Sequence, residues 1–237
     1  MRATREPASP LLHRPTLVAA AALVALGGAA FWTATRPRDA ALALLLGAGA
    51  LLVAGGAWLE AGPGTAAELT LVATLGAAAA AGRVLFTAIP GVQPVTVVCL
   101  AAGVALGARA GFSVGAVAAI VSNLFLGQGP WTPWQMLLWG ACGVAGALAA
   151  PLLRRRVPFA LACVVLGFAF SVGMDLWEWY SFFPHTWAAL TVQLTRGLWF
   201  DGAHAAGNLV LALVAGPELR RLLERYGRRL RPEVVWA

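Results

Sequence analysis

Asp201, His204 and Asn208 fall at i, i+3 and i+7, a spacing that puts all three side chains on one face of a helix. An acid and an imidazole three residues apart are the start of a metal site, but a convincing site needs at least three protein ligands. The other histidines, His13 and His185, stand in a tail and a loop with no fixed relation to that face, so no metal is assigned. A polar pocket wall or an interhelical hydrogen-bond network suits the triplet better. Arg83, inside AAAAAGRVLFTAIP, is the second chemical feature. A charge at membrane depth costs about 2.5–3.5 kcal/mol on insertion scales, so it should face a partner or a wet cavity. Asp175, Glu178 and Asp201 are the candidate partners. Ser122, Ser171 and Ser181 lack a nucleophile-elbow context, and neither HExxH nor a carboxylate pair at glycosidase spacing occurs, so no catalytic residue is assigned.

Two polar, proline-bearing breaks interrupt the apolar sequence, IPGVQPVT from Ile89 and SNLFLGQGPWTPWQ ending at Gln135. Non-helical backbone at membrane depth is tolerated where protein buries it or water reaches it. The two breaks therefore read as loops that close over a polar cavity. Gln93, Asn123, Gln128 and Gln135 would supply neutral hydrogen bonds there, Trp131 and Trp134 stacking surface, and Arg83 with Asp201 orientation, alongside His204 and Asn208. Seven of the ten tryptophans (131, 134, 139, 177, 179, 187 and 199) gather at one set of helix ends. An interfacial belt explains tryptophans at either surface; an excess on one side also suits an aromatic pocket.

The elements that position these residues are membrane helices. The chain is 60% apolar and 11% charged, with a mean hydropathy of +0.77, the composition of an integral membrane protein. Its 17 basic residues are all arginine, which removes every function that needs a lysine: a Walker-type phosphate loop, a Schiff base, a lysine base. The net charge of +7 follows loops and the C-terminal stretch, a topology signal and not a nucleic-acid surface. Cys99, Cys142 and Cys163 lie in apolar runs and read as core residues.

At about 20 apolar residues per crossing, spans are expected near 16–35, 40–58, 67–89, 94–108, 110–127, 134–153, 157–175 and 198–216. The first follows Arg2, Arg5 and Arg14 but is longer than a signal-peptide core, so an uncleaved helix is expected. Residues 1–62 then form a tail and transmembrane hairpin, and 63–237 a six-helix core with a basic tail. Arg109, Arg154, Arg155, Arg156 and the arginines from Arg220 to Arg231 put those connections and both termini in the cytoplasm, with the two proline-bearing breaks outside; Arg36 and Arg38 oppose this. The expected location is the cell membrane, multi-pass.

On the first core helix Ala73, Ala77 and Ala81 form an AxxxAxxxA ladder, and Gly111, Gly115 and Ala119 repeat the pattern later. Small residues every four positions let another helix approach closely. Spacing alone favours internal packing over a docking surface.

The block AAAAAGRVLFTAIPGVQPVT, then LGARAGFSVGAVAAIVSNLFLGQGPWTPWQMLLWG, then FDGAHAAGNLV resembles the substrate-binding S components of energy-coupling factor (ECF) vitamin transporters, most of all the cobalamin-type group. The resemblance covers roughly residues 66–216 and implies an all-α membrane binder with six core helices. It would capture a vitamin from outside and dock on a transmembrane scaffold subunit carrying two ATPases, with no cofactor and no catalysis of its own. It assigns docking to Ala73, Ala77 and Ala81, against the preference from spacing, and assigns ligand-covering roles to Ile89–Pro94, Gly127–Pro133 and Leu176–Thr195. The two N-terminal spans depart from the family pattern. The rival is a membrane-embedded enzyme acting on a lipid or isoprenoid, with Asp201 and His204 as acid–base groups.

Overall fold

The structure, a computed structural model, describes residues 23–24, 26–29, 31, 39–60 and 65–230. Among these the regular structure is all helical. The chain divides into two compact units, Met1–Pro63 and Gly64–Ala237. In the first, α1 (Ala40–Glu60) is apolar up to its terminal Glu60 and buries Ala43 and Ala48. The described residues between 23 and 31 are helical, and Leu26 lies against Gly49 of α1. The rest of the first expected span, with Arg36 and Arg38, lies outside the described residues, as do residues 61–64 and both chain ends.

The second unit runs α2 (Ala66–Leu85), a single 3-10 turn (Phe86–Ala88), α3 (Val95–Leu106), α4 (Ala108–Leu126), α5 (Thr132–Leu148), the short α6 (Ala150–Leu153), α7 (Arg156–Phe182), α8 (Trp187–Val214) and α9 (Gly216–Leu230). Helix α2 starts at Thr65, whose side chain accepts from the Glu68 backbone N–H at 3.1 Å, satisfying a donor that has no intrahelical partner. Helix α5 starts just ahead of Pro133, where the missing N–H costs nothing.

Among the described residues three helices are long and apolar enough to cross a bilayer, those spanning Ala66–Ala88, Ala108–Leu126 and Arg156–Phe182. Helices α8 and α9 pass the same test as a pair bent by 61°. Helix α3 does not behave as the expected span over 94–108. Its 12 residues rise about 18 Å, well short of a hydrocarbon core of about 30 Å. Nine of them are buried, so its apolar sequence is that of a helix enclosed by protein on all sides.

Close backbone approach holds α3, α4 and α5 together. A Cβ on Gly111 would meet Gly103 Cα and the Gly143 carbonyl oxygen, both at 2.8 Å. A Cβ on Gly103 or Gly143 would collide with the facing backbone outright. The turn between α3 and α4 is Gly107 at φ 99°, the left-handed region that glycine tolerates. The ladder of Gly111, Gly115 and Ala119 is thus internal packing. The ladder on α2 is not: Ala73, Ala77 and Ala81 are exposed, while Gly76, Ala79, Ala80 and Arg83 turn inward.

Two expected loops are helix instead. The connection expected over 176–197, including the covering segment Leu176–Thr195, shrinks to residues 183–186 because α7 and α8 extend to 27 and 28 residues. Gln193 donates to Asp175 at 3.3 Å and to Glu178 at 2.8 Å, and Arg196 pairs with Glu178 at 3.4 Å. The polar residues read as loop are the ones that tie these helix extensions together. The basic C-terminal tail is the amphipathic α9, with Leu223 buried. Arg220 donates to the Leu153 carbonyl at 3.1 Å and Arg156 to the Leu213 carbonyl at 2.9 Å. Arginines therefore concentrate at the end of the unit opposite the two proline-bearing loops.

Replacing Gly143 with leucine forces a side chain into the α4 backbone. Overpacking costs about 1–3 kcal/mol where a core can shift, and here backbone must move. The Gly143→Leu protein should lose its monodisperse peak in detergent or melt well below the parent; an unchanged melting curve would contradict the seam.

Candidate functional site

Arg83 sits in the last turn of α2 and is 9% exposed. Its Nε donates to Gln93 Oε1 at 3.1 Å, and its Nη1 donates to Ser122 Oγ at 2.7 Å and Asn123 Oδ1 at 2.6 Å. The guanidinium carbon lies 4.9 Å from the centroid of Trp139, a desolvated cation–π contact of about 2 kcal/mol. A guanidinium only donates, so it turns the amide oxygens of Gln93 and Asn123 toward itself. Asn123 Nδ2 is then free to donate to Thr132 Oγ1 at 2.9 Å and Gln135 Oε1 at 2.8 Å. Thr132 Oγ1 passes its own proton to Gln128 Oε1 at 2.9 Å. The polarity of this chain runs outward from Arg83 to the 127–131 loop, and its neutral dipoles solvate the cation.

Below Arg83 the aromatic rings continue. Trp139 stacks on Phe170 with centroids 4.2 Å apart and planes 13° apart, and Phe170 meets His204 at 5.7 Å. His204 Nδ1 lies 2.6 Å from the Gly91 carbonyl oxygen, which requires the proton on Nδ1. Gly91 has φ 76°, and a Cβ there would meet the His204 backbone nitrogen at 2.8 Å. On the other side Pro94 packs onto Gly82, where a Cβ would be 2.6 Å from Pro94 Cγ. The 89–94 loop is therefore wedged between α2 and α8. Beneath it lies a cavity of about 180 Å³, whose lining includes Arg83, Thr87, Gly91, Gln93, Leu126 and Phe200.

The sequence-derived residues divide into four groups. Arg83 and Gln93 line the cavity. Asn123 and Gln135 are buried behind them and reach Arg83 through the network. Gln128 and Trp131 are rim residues: Gln128 Nε2 donates to the Ile120 carbonyl at 2.8 Å, and Trp131 Nε1 to the Gly127 carbonyl at 3.3 Å. Asp201, His204 and Asn208 are all buried, at 2%, 0% and 0% exposure. They share one inward face as their spacing predicts, but they lie below the loop and not among the residues lining the cavity. Among the described residues His204 Nε2 and both amide atoms of Asn208 have no hydrogen-bond partner, and neither does Trp134 Nε1.

Two expectations fail. Of the carboxylates proposed for Arg83, Asp175 and Glu178 are engaged by Gln193, and among the described residues Arg83 makes its hydrogen bonds to Gln93, Ser122 and Asn123 and not to Asp201. Arg83 makes only neutral contacts because its nearest neighbours on α4 and the 89–94 loop are amides and a hydroxyl. The tryptophans do not form one aromatic pocket either. Trp187 and Trp199 are 84% and 83% exposed, whereas Trp139 is fully buried. None lines the cavity, whose aromatic walls are Phe86 and Phe200.

Sequence reading missed Ser122, Trp139 and Phe170. Trp139 lies four residues after Gln135, one turn along the same face, and Ser122 adjoins Asn123; those were the available signals. Phe170 had none.

Residues 64–221 match the model of the family of unknown function DUF6580, and the chain belongs to that family. No curated protein and no solved structure matches it.

Asn123→Ala removes an acceptor of a buried guanidinium and strands Thr132 and Gln135. It should lower unfolding stability in detergent by about 1–3 kcal/mol, while Gln128→Ala at the exposed rim changes it by about 0.5 kcal/mol or less. Equal melting temperatures for the two variants would refute the network's structural role.

Proposed function

We propose that this member of the DUF6580 family is a membrane solute-binding subunit that works in the manner of an ECF transporter S component. The observation that carries the reading is Arg83: a buried guanidinium, held by side chains of α4 and the 89–94 loop, opening into a cavity beneath that loop. The solute enters between the proline-bearing loops, which face outside, while the arginine-rich end with α9 faces the cytoplasm. On this reading the second unit is the six-helix S-component core, in which the enclosed α3 counts as a core helix without crossing the bilayer alone. The protein is multi-pass with both termini inside.

The cavity is about 180 Å³, below the roughly 300–1,000 Å³ of sites that hold drug-sized ligands. A small solute therefore suits it better than a corrinoid. The exposed Ala73, Ala77 and Ala81 present a flat strip of α2, suited to docking on a transmembrane scaffold subunit that carries two ATPases. The rival enzyme reading has less support, since His204 has its Nδ1 committed to Gly91 and its ring against Phe170.

The protein purified in detergent from its native membranes should carry a stoichiometric small molecule detectable by mass spectrometry, and Arg83→Gln should carry little or none. Wild-type protein that is reproducibly empty and binds nothing would defeat the proposal. Ala77→Leu, which adds bulk outside the cavity, should keep the solute but abolish its uptake into cells. Uptake at the parental rate would eliminate docking through α2.

A further inference from the structure

We propose that the solute is a small monocarboxylate, held in a fork made by Arg83 Nη2 and Gln93 Nε2. This rests on the reading of the cavity as a binding site and names what the site selects. Arg83 is permanently charged at any relevant pH, and its acceptors are an amide, a hydroxyl and a second amide. Neutral acceptors solvate a cation without cancelling its charge. Among the described residues the ion pairs are Arg196 with Glu178, Arg220 with Glu224 and Arg221 with Glu218; none involves Arg83. One positive charge is left over inside the bundle, at the wall of a cavity.

Its direction is set by the same contacts. Nε and Nη1 are committed, and Nη2 makes no hydrogen bond to the described residues. Because Gln93 turns its oxygen to Arg83 Nε, its amide nitrogen is left over as well, and both residues line the cavity. Two donors beside one net positive charge match a singly charged, two-oxygen acceptor. Carboxylates accept such forked, charge-assisted bonds in preference to single ones. A phosphate dianion would bring twice the charge available to balance it. Apart from Thr87, whose hydroxyl donates to the Arg83 carbonyl at 3.1 Å, the remaining side chains of the lining, including Phe86, Ile89, Val92, Leu126 and Phe200, are apolar, so the acid carries a short apolar group. At about 30 Å³ per water, the space of about 180 Å³ equals roughly six waters, room for an acid of butyrate to benzoate size.

The test is calorimetric titration of the detergent-solubilised full chain with butyrate and benzoate, against butyramide and benzamide as neutral isosteres. Inorganic phosphate and palmitate serve as the alternative anion sources, one soluble and one from the bilayer. The acids should bind on the order of tenfold to a hundredfold more tightly than their amides. Arg83→Gln should remove that preference, and Arg83→Lys, which keeps the charge and loses the fork, should keep part of it. Gln93→Leu leaves the cation in place and should weaken acid binding severalfold, a result that holds even where Arg83→Gln does not fold. Amides bound as tightly as acids, acid binding unaffected in Arg83→Gln, absence of acid binding, or preference for phosphate or palmitate would each overturn the inference. If a neutral molecule co-purifies in the cavity, the carboxylate falls and the solute-binding reading stands; if the protein binds nothing at all, both fall.

Discussion

An arginine cannot shed its charge to enter an apolar bundle, and much of the second unit is arranged around that fact. Arg83 is more than nine-tenths buried with no carboxylate beside it. The bundle meets the cost with oriented neutral dipoles from two segments, the 89–94 loop and α4, and the face of an indole from α5. Each amide in the network has one orientation available once the guanidinium has claimed its oxygen. A single charge thus sets the hydrogen-bond direction as far as Thr132 and Gln128, and couples α2, α4, α5 and both proline-bearing loops.

That arrangement requires helices to approach more closely than ordinary side chains allow. Trp139 reaches the guanidinium because Gly115 admits the α5 backbone beside Trp139 and Gly140, where a Cβ would lie 2.5 Å from the Trp139 carbonyl carbon. The contact of Gly103, Gly111 and Gly143 brings α3 against the same pair, α4 and α5, about one turn further along. In lipid there is little hydrophobic force between helices, so close packing of small residues carries the association. The glycine-rich composition and the buried cation are therefore linked: the first brings together the side chains that make the second tolerable.

Helix length, in turn, separates the two ends. Helices α7 and α8 rise about 40 Å each, beyond a core of about 30 Å, and their extensions are joined by Glu178, Gln193 and Arg196. What reads in sequence as a long polar loop is a rigid pair of helix ends, leaving the 86–94 segment as the covering element over the cavity. The unpaired His204 and Asn208 atoms sit below it in the same polar column.

Local sequence was enough for the all-helical, membrane-compatible character, the two proline-bearing breaks, the inward face of Asp201, His204 and Asn208, and the need of Arg83 for polar partners. All of these follow from local composition and a period of 3.6 residues. It did not determine which residues answer Arg83, which of two small-residue ladders is buried, or whether an apolar run crosses a bilayer or is enclosed by protein. Ala73 and Gly111 head similar patterns, yet one set is exposed and the other packed, because burial is decided by neighbours contributed from distant segments. Trp139 shows the same limit: an interfacial tryptophan and one beneath a guanidinium look alike until α2 is brought against α4 and α5. Only the tertiary structure makes that pairing, since an interaction across 39 to 56 positions of chain leaves no periodic trace in either segment.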